Sequence, residues 1–407
     1  MLKNSLAVIN ANDVPPTNAD GTLALRQNSD LFYLTGIEQE ETILLLYPDA
    51  DEEEHREVLF LREPSEALAI WEGRNLTQAE ARRISGVQTV LGLSEFRGLF
   101  HRLMCECDHA YLNTNEHKRA VIEVETRDAR FIQDCLARYP LHDYQRLARL
   151  MHRLRIVKSD GEVELIKQAS AITGTGFRRV LRFLKPGVSE TEVEAEFAHE
   201  FIRRGGRFAY LPIIASGAKA CVLHYLANDQ TCRKGDLLLL DVAASYANYN
   251  ADMTRTIPVS GRFTRRQKEV YNAVLRVFRR CVKALVPGQR HKEWQKQAEG
   301  MVEKELVDLG LLSLRQIQRQ QPDKPAFKKY FMHGVGHPIG LDVHDLGLTT
   351  EPIQPGWVMT VEPGIYLPEE GFAVRLENTV LVGENGNLDL MADFPIEAEE
   401  IEDIMNA

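Results

Sequence analysis

Five residues in the C-terminal half of the chain have the types and settings to do chemistry: Asp241, Asp252, His337, Glu362 and Glu377. Four carboxylates and one imidazole suit two hard or borderline divalent cations better than a single structural zinc. If the five converge, the chain is a dinuclear metallohydrolase. Asp241 ends the apolar run Leu237-Leu238-Leu239-Leu240, and Asp252 opens Asp252-Met253-Thr254-Arg255-Thr256-Ile257, rich in β-branched residues. Ser245-Tyr246-Ala247-Asn248 between them reads as a turn, so the segment predicts a β-hairpin. A hairpin centred between Tyr246 and Ala247 sets Asp241 opposite Asp252. Like charges so placed destabilise a strand pair, and burying them unpaired is costly. A cation between them resolves both problems. The plain alternative is two exposed strand-end acids; the apolar flank of Asp241 argues for burial.

His337 lies in His333-Gly334-Val335-Gly336-His337. The two glycines argue against a helix that would stack both rings on one face. A strand or loop whose backbone closely approaches a ligand fits better. In isolation such a pair is more often a glycine-rich turn with solvated histidines, and His224 and His344 are individually uninformative for the same reason. Glu362 follows the apolar Met359-Thr360-Val361 and precedes Pro363-Gly364, a strand running into a turn. Alternation along Phe372–Val380 puts Val374 and Leu376 on one face and Arg375 and Glu377 on the other. An Arg and a Glu facing water would explain the second face equally well.

Six segments occur in order: Leu240-Asp241-Val242-Ala243, Asp252-Met253-Thr254-Arg255-Thr256, Met332 to His337, Gly340-Leu341-Asp342-Val343-His344-Asp345, Thr360-Val361-Glu362-Pro363-Gly364 and Val374-Arg375-Leu376-Glu377. With them the chain resembles the Xaa-Pro aminopeptidase (aminopeptidase P) and prolidase family of pita-bread metallopeptidases. Arg26-Gln27-Asn28-Ser29-Asp30-Leu31-Phe32-Tyr33-Leu34-Thr35-Gly36 is similar to the aminopeptidase P signature near the N-terminus, so the resemblance spans nearly the whole chain. Ordered motifs of this number are far more specific than a single match.

The resemblance implies that Asp241, Asp252, His337, Glu362 and Glu377 bind metal, with Asp241 and Glu377 bridging two divalent ions. Carboxylate-rich ligation suits Mn2+ first, with Zn2+, Co2+ and Fe2+ as alternatives. Glu362 is the carboxylate expected to take the proton of the attacking water. His224, His333 and His344 match histidines that contact substrate or the developing oxyanion, Arg375 matches an arginine that holds the Glu377 strand and lines the proline pocket, and Tyr210 and Tyr366 match tyrosines at the site; His333, Arg375, Tyr210 and part of the loop after Glu362 are expected to form the pocket. Trp71, in Ile70-Trp71-Glu72-Gly73-Arg74, matches a tryptophan that reaches a neighbouring subunit's site in related enzymes, which implies a homodimer or homotetramer. The chemistry agrees with these types. Two cations about 3.5–4 Å apart acidify a bridging water and stabilise the attacking and leaving atoms. An imidazole can donate to the tetrahedral oxyanion. A prolyl nitrogen carries no N–H and its ring fixes φ, so a shape-selective pocket is required.

The implied substrate is a proline-containing peptide, Xaa-Pro-Yaa, cleaved after its first residue. One alternative is a prolidase cleaving Xaa-Pro dipeptides; another is a non-catalytic peptide-binding protein on the same fold. Glu377 is followed by Asn378-Thr379, where aminopeptidases often carry two acids and prolidases an acid and Thr. The N-terminal match and Trp71 favour the aminopeptidase. Retention of all five ligands disfavours a metal-free hydrolase such as creatinase, as well as the binding module.

The chain around this set has 407 residues, a formal charge of -10 and 44% hydrophobic residues. That length predicts two or three domains with a large core. Acidity, much of it in Asp49–Glu57, argues against nucleic acid as the main partner. The six cysteines form neither paired zinc spacings nor a disulfide framework. Neither a charged-then-apolar leader nor an apolar run of about 18 residues occurs, so the expectation is a cytoplasmic protein without a membrane span.

Short apolar runs at Ser5–Asn10, Thr42–Tyr47, Val58–Leu61 and Ala110–Leu112 alternate with helical stretches at Thr77–Ile84 and Ser94–Met104. They predict a small α/β domain over 1–150, related by the resemblance to the creatinase and aminopeptidase P N-terminal domain. Gln145–Arg155 is basic and amphipathic and is expected to connect the domains. Helices are expected over Gly161–Phe183, from Ser189 to about Arg204, over Thr264–Val286 and over Lys292–Leu309. Gln316–Lys329 reads as loop with some helix, and strands are expected to Val259 and from Phe331 to Val382. Twice, two helices precede strands. This α+β order fits two similar halves over 151–407. The resemblance, not the pattern, implies a pita-bread catalytic domain, a curved antiparallel sheet with helices outside.

Overall fold

The structure, a computed structural model, describes residues 1–407 except 65–69, 72, 74, 122, 348 and 349. The chain divides into two compact units, Met1–Leu154 and Arg155–Ala407, and the division falls inside the helix Ala148–Ile156. The expected connecting helix starts later than Gln145, because Asp143–Arg146 is a strand.

In the N-terminal unit, alternation fixes the layers. Strands β1 (Ser5–Asn10), β2 (Ile43–Leu46), β3 (Glu57–Leu61), β4 (Thr89–Gly92), β5 (His109–Leu112) and β6 (Asp143–Arg146) form one mixed sheet in the order β4-β3-β2-β1-β5-β6. Leu6 and Val8 join Leu45, Phe60, Phe96 and Phe100 on one face. Ala7 and Ile9 join Leu44, Leu59, Leu31 and Met151 on the other. Side chains that alternate between two cores produce strands that are buried throughout, as β1 is.

The C-terminal unit repeats one plan. Helices Asp160–Phe183 and Glu190–Arg203 precede strands β7 (Arg207–Phe208), β8 (Ile213–Ser216), β9 (Leu237–Asp241), β10 (Ala244–Tyr246), β11 (Tyr249–Asn250) and β12 (Thr254–Pro258). Helices Arg265–Ala284 and His291–Asp308, and the short Leu314–Arg319, precede β13 (Val358–Val361), β14 (Gly364–Leu367), β15 (Phe372–Arg375), β16 (Asn378–Leu381) and β17 (Leu388–Asp389). Ser159, Ser189 and Thr264 start their helices with full capping boxes to Glu162, Glu192 and Gln267, which is why those starts were legible. Among the described residues every strand pairing in this unit is antiparallel, and an isolated bridge between Thr254 and Glu377 joins the halves. One core runs through both, from Phe177 and Phe197 to Trp294 and Trp357.

Two expectations fail here. Residues 331–357 carry no strand among the described residues beyond isolated bridges; the run from Phe331 is loop until β13. The C-terminal helix Ala398–Asn406 was not foreseen, and its buried Ala398 and Ile401 pack into the same core.

Candidate metal centre

The first half presents its acids through a hairpin whose register differs from the expected one. Ala247 and Asn248 both have left-handed backbones, φ 46° and 67°. Positive φ at both central residues marks the tight hairpin turn that matches strand twist. The turn is therefore centred one bond later than expected, pairing Tyr246 with Tyr249 and Ser245 with Asn250. The same register sets Thr254, not Asp252, opposite Asp241. Asp252 falls diagonally across from Asp241 on the same face, since side chains repeat every second residue. A hydroxyl thus replaces the second charge at the directly opposed position.

The two aspartates still meet. The Tyr210 hydroxyl lies 2.6 Å from Asp241 Oδ1 and 2.6 Å from Asp252 Oδ1. A phenol has one proton, so both contacts are hydrogen bonds only if one carboxyl also carries a proton. A cation on the carboxylates would take that proton's place. Thr254 ties in the second half: its hydroxyl donates to Glu377 Oε2 at 2.7 Å and accepts from Arg375 Nε at 3.0 Å. Arg375 Nη2 donates to Asp241 Oδ2 at 2.5 Å. The fully buried Arg255 holds the Glu377 carbonyl from behind at 2.8 Å.

His337 comes from the loop before β13. Its Nδ1 lies 3.0 Å from the Pro338 carbonyl, which can only accept, so Nδ1 carries a proton and in the neutral ring Nε2 presents a lone pair. Nε2 stands 3.6 Å from Asp252 Oδ2 and 3.7 Å from Glu362 Oε1. The loop is laced to β13: Thr360 N donates to the His337 carbonyl and Glu362 N to the Val335 carbonyl, each at 2.8 Å. A Cβ on Gly336 would fall 2.0 Å from the Thr360 carbonyl oxygen. The close approach expected of this glycine is thus to β13, not to a ligand.

His333 Nδ1 donates to the Gly334 carbonyl at 2.8 Å, so in the neutral ring Nε2 accepts from the Tyr366 hydroxyl at 2.8 Å. Arg375 Nη1 donates to that hydroxyl at 2.9 Å. The His344 ring stacks on His337 with centroids 3.8 Å apart. His224 lies exposed on the turn after Gly217–Cys221, and no hydrogen bond joins it to this cluster. Trp71 belongs to the N-terminal unit, where it is 86% exposed, and its motif neighbours Glu72 and Arg74 lie outside the described residues.

Electrostatics distinguish these acids from ordinary surface carboxylates. Burial, then Asp241, pushes Asp252 well above the usual carboxylate range. Burial, then Asp252 and Asp241, does the same to Glu377. Burial and the same aspartates push the Tyr210 phenol up as well. Burial alone would lower Arg375; Tyr366, Asp241, Glu377 and Glu362 around it hold it well above its ordinary value. One guanidinium therefore faces several crowded carboxylates. Ligand atoms of Asp252, His337 and Glu377 lie within 4.8 Å of one another. Oxygen donors with one imidazole, short of positive charge, fit a divalent cation.

The sequence reading missed Thr254, Thr360 and Thr379. Thr379 accepts from Asp252 N at 3.2 Å and donates to the Asp252 carbonyl at 3.1 Å. Thr254 stands two residues after Asp252, and the strand period would have flagged it.

Comparison with known proteins agrees along the whole chain. The model of metallopeptidase family M24 matches residues 164–384, and that of the aminopeptidase P N-terminal domain matches 1–111. The chain is 34% identical to the Xaa-Pro aminopeptidase of Escherichia coli, covering 100% of this chain and 95% of that one. It is 33% identical to the Xaa-Pro aminopeptidase of Haemophilus influenzae, covering 96% and 90%. The solved structure of E. coli aminopeptidase P with the inhibitor Pro-Leu superposes with a TM-score of 0.89 at 32% identity, covering 100% of this chain and 95% of that one. A Pseudomonas aeruginosa aminopeptidase gives 0.90 at 31%, with the same coverage.

Proposed function

The chain belongs to metallopeptidase family M24, and we propose that it is a metal-dependent aminopeptidase that removes the first residue of peptides with proline in the second position. Its fold is α+β, a pita-bread unit after a smaller α/β unit. The observation that carries the reading is the crowding of buried carboxylates around His337 with too little positive charge to balance them.

Asp241, Asp252, His337, Glu362 and Glu377 would hold two divalent ions. Oxygen-rich donors favour Mn2+. When bound, such ions supply a Lewis acid for the scissile carbonyl and lower the pKa of solvent in the site. The other steps belong to the chain. Glu362, with its side chain 19% exposed at the edge of the cluster, takes the proton of the attacking water and returns it to the leaving prolyl nitrogen. His344 donates a hydrogen bond to the developing oxyanion, and His224 is the alternative donor. Arg375, Tyr366 and His333 form a linked chain of hydrogen bonds, supporting the reading that they wall the proline pocket with Tyr210. Because both ring nitrogens of His333 are engaged, it contributes shape rather than a proton.

The exposed Trp71 fits a homodimer or homotetramer in which it reaches a partner's site. No helix among the described residues is long and apolar enough to cross a membrane, and a cytoplasmic setting is the proposal. The test is release of the first residue from an Xaa-Pro-Yaa tripeptide with added Mn2+. Rapid cleavage of Xaa-Pro dipeptides with the tripeptide untouched would make the chain a prolidase. A folded protein that never takes up metal would make it a peptide-binding module.

A further inference from the structure

Beneath the loop Gly340–Asp345 lies a second cluster of charge that the reaction does not use. Asp345 is buried, its side chain 1% exposed, and so is Lys158, whose Nζ donates to Asp345 Oδ2 at 2.9 Å. Arg155, 2% exposed, donates to Asp345 Oδ1 and reaches Asp342 Oδ2 at 2.7 Å. Lys158 Nζ also donates to the Arg155 carbonyl at 2.6 Å, and Leu346 N donates to Asp345 Oδ1 at 2.8 Å. Burial alone would raise Asp345, but Arg155 and Lys158 outweigh it and hold the carboxyl below its ordinary range.

These groups grip a segment that is otherwise irregular. Residues 340–345 have no strand or helix, so no backbone ladder fixes them. Further hydrogen bonds anchor the segment at its start and end. Asn250 Nδ2 donates to the carbonyls of Gly340 and Leu341 at 3.0 and 2.9 Å, and Asp345 N donates to the Pro338 carbonyl at 2.9 Å. Packing at the clamp leaves no slack. A Cβ on Gly340 would fall 2.2 Å from Asp345 Oδ2 and 2.8 Å from Lys158 Cε. Between the two gripped aspartates, Asp342 and Asp345, stands His344, whose ring stacks on His337. A buried ion cluster adds little net stability over a well-packed apolar one, but it does define geometry.

We infer that Arg155 and Lys158 are positioning residues for the reaction: through Asp342 and Asp345 they hold the His344 loop so that its imidazole meets the oxyanion. This inference rests on the aminopeptidase reading of the same site. The imidazole sits on a short unladdered loop, and small misplacements of a donor are expensive in rate.

A double-mutant cycle on the metal-loaded full chain tests it, with turnover of an Xaa-Pro-Yaa tripeptide measured for wild type, Lys158→Met, His344→Ala and the pair. Lys158→Met should lower kcat at least about tenfold, leaving KM within about twofold and bound metal unchanged. Added to His344→Ala, the same change should cost less than about threefold more. A kcat within twofold of wild type, or an equal loss with and without His344, would reduce the cluster to scaffold. If Lys158→Met does not fold, Asp342→Asn, 43% exposed, replaces it in the cycle with the same two outcomes. His344 imidazole NMR resonances in the zinc-loaded protein give a readout independent of turnover. They should move in the clamp variant, and unmoved resonances would refute the positioning role. If instead they move while wild type fails to cleave the peptide, the aminopeptidase reading falls and the clamp stands.

Discussion

Two buried acids in the C-terminal unit, Asp345 and Asp252, are treated in opposite ways. Asp345 is enclosed with two cations from its own chain, and they lower its proton affinity despite its burial. Asp252 is enclosed with Asp241 and Glu377 for neighbours, and its proton affinity rises. The first arrangement is complete as folded. The second sets one guanidinium, Arg375, against several carboxylates, and that shortfall of positive charge fits a site for an external cation. Burial of an acid says little until the charges around it are counted.

The comparison breaks most visibly in turnover. Asp252→Ala should abolish peptide cleavage, by about a thousandfold or more, and weaken metal binding, while circular dichroism shows the fold kept. Full activity in this variant would show that the crowded acids are not the reactive centre.

Stability sharpens the contrast, because the two acids predict opposite signs. Asp345→Asn leaves Arg155 and Lys158 buried beside a neutral group and should destabilise the protein by about 3–5 kcal/mol. Asp252→Asn relieves repulsion and should stabilise the metal-free protein near neutral pH, by on the order of 1 kcal/mol. Denaturant unfolding after chelation measures both. Chelation of the unmutated protein should itself lower Tm, since a ligand at about a hundred times its Kd contributes about 2.7 kcal/mol. A chelator that leaves Tm unchanged would contradict the charge argument.

The residue types of the proposed site stand out in the sequence because each proposed ligand sits in a local motif whose apolar neighbours make an unpaired acid improbable. Gly336 was legible as a close-approach position, although the approaching group is β13. The hairpin register was not, because nothing about Ala247 announces a left-handed backbone. Nor was the clamp: Arg155 and Lys158 find Asp345 across 190 and 187 positions of sequence, and periodicity carries no information about partners that distant. The loop from Phe331 read as strand for a related reason. Its β-like residues are held by single contacts to β13 and to Asn250 rather than by a ladder. In the N-terminal unit β1, β2, β3 and β5 were legible because each borders two cores, whereas the half-buried or exposed residues of β6 gave no such signal and were read into the connecting helix.

The N-terminal unit offers a milder version of the contrast. Asp128 accepts from Asn10 Nδ2 at 2.9 Å and from Asn28 Nδ2 at 3.4 Å, with Asp30, Arg127 and Asp13 as charged neighbours. Burial raises its pKa to about 6, with the Asn10 hydrogen bond opposing. The folded state then holds the proton more tightly than the unfolded chain. The stability this group contributes is fully present below the ordinary carboxylate pKa and is lost as pH rises toward 6. The whole swing is about 3 kcal/mol, at about 1.4 kcal/mol per pKa unit. Hydrogen exchange of the β1 amides should report an opening free energy that falls between about pH 4 and 6, and Asp128→Asn should flatten that slope.

The smallest effect isolates the hairpin. Ala247 holds a left-handed backbone with a Cβ that disfavours it by about 1 kcal/mol. Asparagine tolerates that conformation better, so Ala247→Asn should stabilise the protein by about 0.5–1 kcal/mol. Because the turn sets which residue faces Asp241, a variant that keeps the turn type keeps Thr254 opposite and the two aspartates diagonal. Its kcat and metal content should therefore match those of the unmutated chain while its denaturation midpoint rises. A loss of activity alongside the gain in stability would mean that the strained turn itself contributes to the spacing of Asp241 and Asp252.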